Sequence, residues 1–135
     1  CGIAFPYDDL YGVDVVLPDL TFLRENKSQL LGIFLTHGHE DHIGGLSFVL
    51  KEFDVPVYGS RLTIGLVRAK LREYLDIEKL RLIEFTPDQT VKKGPFEIEP
   101  IRVTHSIPET VAYNIETPAG RLVYVSDFKI DQEKY

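Results

Sequence analysis

Apolar positions in the first half of the chain alternate between strand-like runs and helix-like spacing. GIFLTH (32–37) is a continuous β-type apolar run, as expected of a strand buried on both faces. VDVVLP (13–18) and VPVYGS (55–60) predict two further strands. From Asp41 to Phe53 the apolar residues recur at helical spacing, which predicts one helix with a single buried face.

Two other segments have the spacing of amphipathic helices. FLRENKSQLL (22–31) predicts a short helix with Leu23, Leu30 and Leu31 directed inward. RLTIGLVRAKLREYL (61–75) predicts a longer helix, for which Ser60 is a suitable N-cap. The residues expected on its buried face are Leu62, Leu66, Val67, Leu71 and Leu75.

After Ile77 the pattern changes to alternating β-type segments. LRLIEF (80–85) is followed by two longer stretches, 90–105 and 110–127, which are broken by the turn sequences KKGP and TPAG. The order is therefore mixed β/α followed by a β-rich part. This order predicts a layered α/β (α+β) fold in which helices pack against mixed β-sheets.

Length and composition agree with one globular domain, at 135 residues, 44% hydrophobic and 27% charged. No apolar run approaches the roughly 20 residues of a membrane span, so we expect no membrane association. The single cysteine, Cys1, cannot form an internal disulfide, which favours a cytoplasmic location. A net charge of −6 argues against a generic electrostatic grip on nucleic acid. Bound divalent cations would reverse the field locally, so a phosphate substrate is not excluded.

The segment HGHEDH concentrates metal-capable side chains where the predicted strand 32–37 ends. His37 and His39 lie at the strand end, and Asp41 and His42 begin the next helix, so the two pairs can serve neighbouring positions. Imidazole and carboxylate ligands without cysteine are typical of an open, catalytic site for zinc, manganese or iron. Helix capping would explain Asp41 but not three histidines. We expect the remaining acidic residue, Glu40, to face solvent or to support the ligands from outside.

Two later strand ends carry the same kinds of side chain. His105 ends the β-type stretch 90–105, and Asp127 ends the stretch 110–127. A single histidine at a strand end is usually structural, but here three strand ends each supply a metal-type ligand. Ser106, next to His105, can bind backbone or orient a ligand.

The motifs THGHEDHIGG, VTHSIP and YVSDFKID resemble those of the metallo-β-lactamase superfamily. Together with GVDVVLPD and VPVYGSRLTIGLV, they are most similar to the β-CASP ribonucleases of the bacterial ribonuclease J type. The resemblance implies a metallo-β-lactamase fold and two zinc ions, with manganese or magnesium as substitutes. It implies one ion on His37, His39 and His105, a second on Asp41 and His42, and Asp127 bridging both. Asp41 and Asp127 would be the catalytic carboxylates.

The resemblance also implies an activity and partners. The activity is hydrolysis of RNA phosphodiester bonds, 5′-to-3′ exonucleolytic and endonucleolytic, in messenger RNA decay and ribosomal RNA maturation. The family forms homodimers and homotetramers, also with a paralogous subunit or other RNA-decay proteins. It further implies a calcium site at the Gly12 carbonyl and Asp14, a reasonable ligand pair for a hard cation.

Measured against that family, residues 1–135 correspond to a partial metallo-β-lactamase domain. Preceding strands, the β-CASP domain, the C-terminal domain, a further ligand histidine and the general acid would lie outside it. Two alternatives therefore stay open. One is an incomplete domain that binds metal but is inactive, and the other is a hydrolase of the same fold that acts on a thioester or lactam.

Overall fold

The computed structural model describes residues 1–130, so the last five residues of the predicted domain, including Asp131 of the motif YVSDFKID, lie outside the described part. A parallel three-stranded sheet forms the first layer: β1 (Ile33–Phe34), β2 (Val57–Gly59) and β3 (Leu82–Glu84), in that order. All three strands were predicted from apolar runs. Being parallel and short, they need cover on both faces.

An antiparallel four-stranded sheet follows along the chain. It contains β4 (Val91–Lys93), β5 (Phe96–Arg102), β6 (Val111–Thr117) and β7 (Gly120–Tyr124), each paired with the next. The predicted turns KKGP and TPAG connect β4 to β5 and β6 to β7. Gly94 (φ 55°) and Gly120 (φ 139°) adopt positive φ values there, which favour glycine.

The α-helices are α1 (Thr21–Glu25), α2 (Glu40–Ile43), α3 (Leu46–Glu52) and α4 (Arg61–Leu71). Lys27–Gln29 and Ile77–Lys79 form short 3₁₀ helices, so the single helix predicted over 22–31 is divided into α1 and a 3₁₀ turn. The predicted cap of α4 is confirmed, because the Ser60 side chain accepts a hydrogen bond from the Thr63 amide at 3.3 Å. In residues 1–130 no helix is long and apolar enough to cross a bilayer.

The parallel sheet separates two apolar layers. On one side Leu35 and Val57 pack with Ile64, Val67 and Leu71 of the helical layer. On the other side Phe34 stacks on Tyr58 at 4.4 Å between ring centroids, and both rings belong to the layer that includes the antiparallel sheet. Successive residues of a strand point to opposite faces, so β1 and β2 contribute to both layers. This layered arrangement of mixed sheets and helices confirms the predicted fold class.

The single helix predicted from Asp41 to Phe53 is wrong, because the chain breaks at Gly44 and Gly45 into α2 and α3. In a continuous helix the Gly45 amide would bond to the Asp41 carbonyl. Instead it donates to the Cys1 carbonyl at 2.8 Å. The N-terminal segment crosses closely at this point, since a Cβ on Gly45 would lie 2.7 Å from the Gly2 carbonyl oxygen.

The strand predicted at 13–18 is reduced to one bridge. Val16 exchanges both backbone hydrogen bonds with Ala4, at 2.8 and 2.9 Å, but its neighbours in 13–18 are not part of a named strand. The apolar pattern of residues 13–18 suits a strand, but within residues 1–130 the only residue that pairs with this segment is Ala4. A β-strand requires a paired backbone as well as a suitable pattern.

The buried face predicted for the helix at 61–75 was partly wrong. The helix ends at Leu71, and its fully buried residues are Thr63, Ile64, Val67 and Leu71. Leu66 is 36% exposed, and Leu62 is half-buried. The expected inward position of Leu31 is also wrong, since this residue is 36% exposed.

Candidate metal centre

Three chain segments bring the six predicted ligands to one place. β1 leads into the segment that carries His37 and His39 and then into α2, β5 leads to His105, and β7 leads to Asp127. The ligand atoms form two groups, each with atoms within 4.8 Å of one another. The first group contains His37, His39, His105 and Asp127, and the second contains Asp41, His42 and Asp127.

Asp127 is the residue that the two groups share. Its Oδ2 lies 2.9 Å from His42 Nε2, 3.5 Å from His37 Nε2 and 3.7 Å from His105 Nε2. Its side chain is 43% exposed, so the carboxylate faces both the histidines and solvent. One oxygen among three imidazole nitrogens is the arrangement expected of a carboxylate that serves two cations.

His37 is the most deeply buried of the candidate ligands, with no exposed surface. Its Nδ1 lies 2.9 Å from Thr36 Oγ1, and that hydroxyl in turn accepts a hydrogen bond from Ser126 Oγ at 3.0 Å. Neither supporting hydroxyl was predicted from the sequence. The available signal was position, because each directly precedes a ligand at a strand end. When Nδ1 carries the proton and donates to Thr36, the Nε2 lone pair is free to bind a cation.

The Nε2 atom of His37 is buried and has no hydrogen-bond partner among residues 1–130. A buried polar atom without a partner is unfavourable unless a ligand compensates for it. Burial, and then the neighbouring imidazoles of His42, His39 and His105, lower the pKa of His37 to about 4, against the opposing effect of Asp127. The ring is therefore neutral at pH 7, which is the form that binds metal.

His39 and His105 lie side by side at the rim of the first group. His105 Nε2 is 3.1 Å from His39 Nδ1, and their ring centroids are 4.8 Å apart. Ser106 Oγ lies 3.4 Å from His39 Nε2, so the hydroxyl contacts the nitrogen that faces away from His105. The two nitrogens share one hydrogen bond, whose direction depends on the tautomers of the rings. A cation bound by both nitrogens would replace the shared proton.

The second group lies on the open side of the centre. His42 Nε2 is 3.5 Å from Asp41 Oδ2, and the Asp41 side chain is 61% exposed. Glu40, between the ligands in sequence, is exposed and pairs with Lys70 of α4. It is therefore outside both groups, in agreement with the expectation that it faces away from the ligands.

Glycines allow the ligand segment to approach its neighbours. A Cβ on Gly38, between His37 and His39, would lie 2.4 Å from Leu66 Cδ1 of α4. A Cβ on Gly2 would lie 1.7 Å from the carbonyl oxygen of Asp41, which leaves no room for any side chain. Both ends of the ligand segment are thus packed against other parts of the chain.

The predicted calcium residues lie elsewhere. Gly12 is in an exposed turn with φ 76°, and Asp14 is also exposed. Asp14 belongs to neither ligand group found in residues 1–130. The calcium site stays a prediction.

The donor set fits divalent cations of the zinc type. The first group combines three imidazoles with one carboxylate oxygen, and the second combines one imidazole with two carboxylates. Mixed nitrogen and oxygen ligands without thiolate suit zinc and, with more oxygen, manganese or magnesium. The buried Nε2 of His37, which has no hydrogen-bond partner within residues 1–130, is the observation that most directly favours a cation.

We expect the metal-free protein to lose stability on acidification through His37. In the unfolded chain this histidine has a pKa of 6.5, and in the folded chain its pKa is about 4. Between these values the unfolded state binds more protons, so the free energy of unfolding falls as the pH falls, by up to about 1.4 kcal/mol per pH unit. Above pH 6.5 this contribution is constant.

Urea denaturation in the presence of chelator, at about pH 7, 6 and 5, measures this dependence. His37→Gln has no titrating group at this position and should show a flatter profile. Equal profiles for the two proteins would contradict a buried, neutral His37.

Nearly the whole chain is similar in sequence to proteins of one superfamily. The sequence profile of the β-lactamase superfamily domain matches residues 12–134. Ribonuclease J of Synechocystis sp. is 49% identical over 132 residues, which is 96% of this chain. Ribonuclease J 2 of Staphylococcus aureus is 42% identical over 131 residues, which is 97% of this chain. The chain spans only 21% and 24% of the length of these two relatives.

Solved structures share the fold. The metallo-β-lactamase fold protein YhfI from Bacillus subtilis aligns with a TM-score of 0.52 and 28% identity, over 70% of this chain and 40% of YhfI. Zn²⁺-bound PqqB from Methylobacterium extorquens aligns with a TM-score of 0.64 and 15% identity, over 76% of this chain and 40% of PqqB. At that identity the likeness to PqqB concerns the fold alone.

Proposed function

This chain belongs to the β-lactamase superfamily, and on that premise we propose that it forms part of the catalytic domain of a metal-dependent ribonuclease of the ribonuclease J type. The family is supported by the profile match over 12–134, and the substrate by relatives named ribonuclease J at 49% and 42% identity. The single observation that carries the proposal is the position of Asp127 Oδ2 between both ligand groups.

In this proposal the ligands divide as the geometry suggests. His37, His39 and His105 would hold one cation, Asp41 and His42 would hold the second, and Asp127 would serve both. When bound, the two cations would polarise phosphate oxygens and lower the pKa of a coordinated water.

The charges of the centre explain why an RNA substrate requires the cations. Asp41 and Asp127 place two carboxylates beside the histidines, and His37, with its pKa lowered to about 4, adds no positive charge at pH 7. The protein groups alone would therefore repel a phosphodiester. With cations bound, the local charge becomes positive and attracts it.

The side chains also differ in what they contribute. His37 is buried and held by the Thr36 hydroxyl, so it is suited to fix the position of one cation. Asp41 is exposed at the open side, where a substrate phosphate would enter, and its carboxylate can accept a proton or orient a water molecule. We therefore assign Asp41 and Asp127 as the catalytic carboxylates.

The proposal also includes the metal, the modes of cleavage and the cellular role. Zinc is the resident metal, and cleavage is both exonucleolytic and endonucleolytic. The enzyme acts in messenger RNA decay and ribosomal RNA maturation in the cytoplasm. Association into dimers or tetramers and a calcium ion at Gly12 and Asp14 are further parts of the proposal. A nuclease of this type has RNA as its substrate.

Hydrolysis of a fluorescently labelled single-stranded RNA tests the proposal. We expect His39→Ala and Asp41→Ala each to lower the rate by about 100-fold or more, because each removes a ligand from a different group. Asp88→Ala, in an exposed turn, serves as the control. Circular dichroism should show that all variants stay folded. Unchanged turnover in either ligand variant would contradict the assignment.

A further inference from the structure

Helix α4 contacts two of the three segments that carry the ligands of the first group, the one with His37 and His39 and the one with His105. Its residues Leu62, Leu66 and Lys70 are spaced by four and so lie along one stripe of the helix. The Leu66 side chain covers Gly38, between His37 and His39. Lys70 pairs with Glu40, one residue beyond His39. Leu66, which the sequence assigned to the core, is thus directed to the ligand segment.

The third contact of this stripe reaches the other ligand segment. The backbone amide of Leu62 donates a hydrogen bond to Glu109 Oε2 at 2.6 Å. Glu109 follows His105 by four residues. This amide belongs to the first turn of α4, where backbone N–H groups lack partners within the helix and a carboxylate is favoured.

The backbone of Glu109 adopts a conformation that is unfavourable for a residue with a side chain. Glu109 is the one residue other than glycine with a positive φ, 59°, among residues 1–130. A bulky residue in this conformation is uncommon and costs free energy that the surroundings must compensate. The conformation brings its carboxylate to α4.

The rest of the loop from Val103 to Thr110 is closed by its own hydrogen bonds. The Val103 amide donates to the Thr110 carbonyl at 3.1 Å, and Thr110 Oγ1 donates to the Ile107 carbonyl at 2.9 Å. These hydrogen bonds join the two ends of the loop that carries His105. A contact at Glu109 therefore restrains His105, which faces His39 at 3.1 Å.

From these contacts we propose that Glu109 is a positioning residue for the metal centre, which clamps the His105 loop to the N-terminus of α4. Because α4 also contacts the segment from Gly38 to Glu40, the clamp sets the distance between His105 and His39. This inference rests on the proposed metal centre, since the histidines need a defined separation only if they share a cation.

Zn²⁺ titration of the full chain, with a competing chelator dye, tests the inference. We expect Glu109→Ala and Glu109→Gly to weaken Zn²⁺ binding by about 10-fold, the lower end of the effect of groups that hold metal ligands from outside. The glycine variant relieves the backbone conformation and so separates loss of the clamp from misfolding. Glu109→Gln retains an oxygen acceptor and should stay within about 3-fold of the wild type.

Ser60→Ala is the matched control. Ser60 caps the same helix end through the Thr63 amide, within α4 itself. Both Ser60→Ala and Glu109→Ala should lower the melting temperature of the metal-free chain by a few degrees. Only the Glu109 variant should weaken Zn²⁺ binding.

Three outcomes would overturn the inference. They are unchanged Zn²⁺ affinity in the alanine and glycine variants, an equal loss in Ser60→Ala, or no rescue by glutamine. A wild-type chain that binds no Zn²⁺ would overturn it together with the metal centre. Failure of the wild type to cleave RNA, with the expected titration pattern intact, would contradict only the proposed function.

Discussion

Replacement of Asp127 by asparagine is expected to reduce RNA hydrolysis on the order of 1,000-fold, the largest effect of any single substitution in the centre. The reason is geometric, because Asp127 belongs to both groups and its Oδ2 lies 2.9 to 3.7 Å from His42, His37 and His105 Nε2. Asparagine keeps the size of the side chain but removes the negative charge that two cations would share. Substituting His42 affects one group alone, so the loss in His42→Ala should be smaller.

The measurement is the cleavage rate of labelled RNA under saturating Zn²⁺ or Mn²⁺, together with the metal content of the purified protein. Asp88→Asn makes the same chemical change in an exposed turn and should behave as the wild type. If Asp127→Asn keeps the wild-type activity to within about 10-fold, this carboxylate does not serve both cations.

The second large effect concerns stability. We expect Zn²⁺ to raise the free energy of unfolding of the wild type by about 4 kcal/mol when the free ion is about 1,000 times its dissociation constant. His37→Ala should lose nearly all of this increment, because His37 contributes a buried nitrogen that has no hydrogen-bond partner in the described part of the chain. The increment is the informative quantity, since the substitution also changes the metal-free protein.

Chemical denaturation with and without Zn²⁺ gives the increment for each protein. Elemental analysis should find divalent metal in the wild type and little in His37→Ala. Equal stabilisation of both proteins by Zn²⁺ would mean that the ion binds elsewhere, and the assignment of the first group would fail.

Much of the fold follows from local pattern. The strands β1, β2 and β3 and the turns at Gly94 and Gly120 agree with the apolar runs and turn residues that predicted them. The errors share one cause, which is that partners distant in sequence decide the outcome. The N-terminal segment interrupts the helix at Gly45, and the segment 13–18 pairs only through Val16.

The candidate ligands were visible in the sequence because their chemistry is unusual. Three histidines and an aspartate within six residues have no ordinary structural explanation, and His105 and Asp127 end apolar β runs in the same way. The supporting groups carry no such signal. Threonine, serine and glutamate are common at loop positions, so Thr36, Ser126 and Glu109 acquire meaning only through the atoms that they contact.

The sequence alone determined which side chains can bind metal and the strands at whose ends they lie. That information is local, because it depends on residue type and on the period of apolar positions. Only the tertiary structure decided that Asp127 lies between the two groups and that Glu109 reaches α4. It also decided that His37 Nε2 is buried with no hydrogen-bond partner in residues 1–130. Those facts depend on distances between segments up to 90 residues apart, as between Thr36 and Ser126. Such distances are set by the packing of the two sheets and the helices around them.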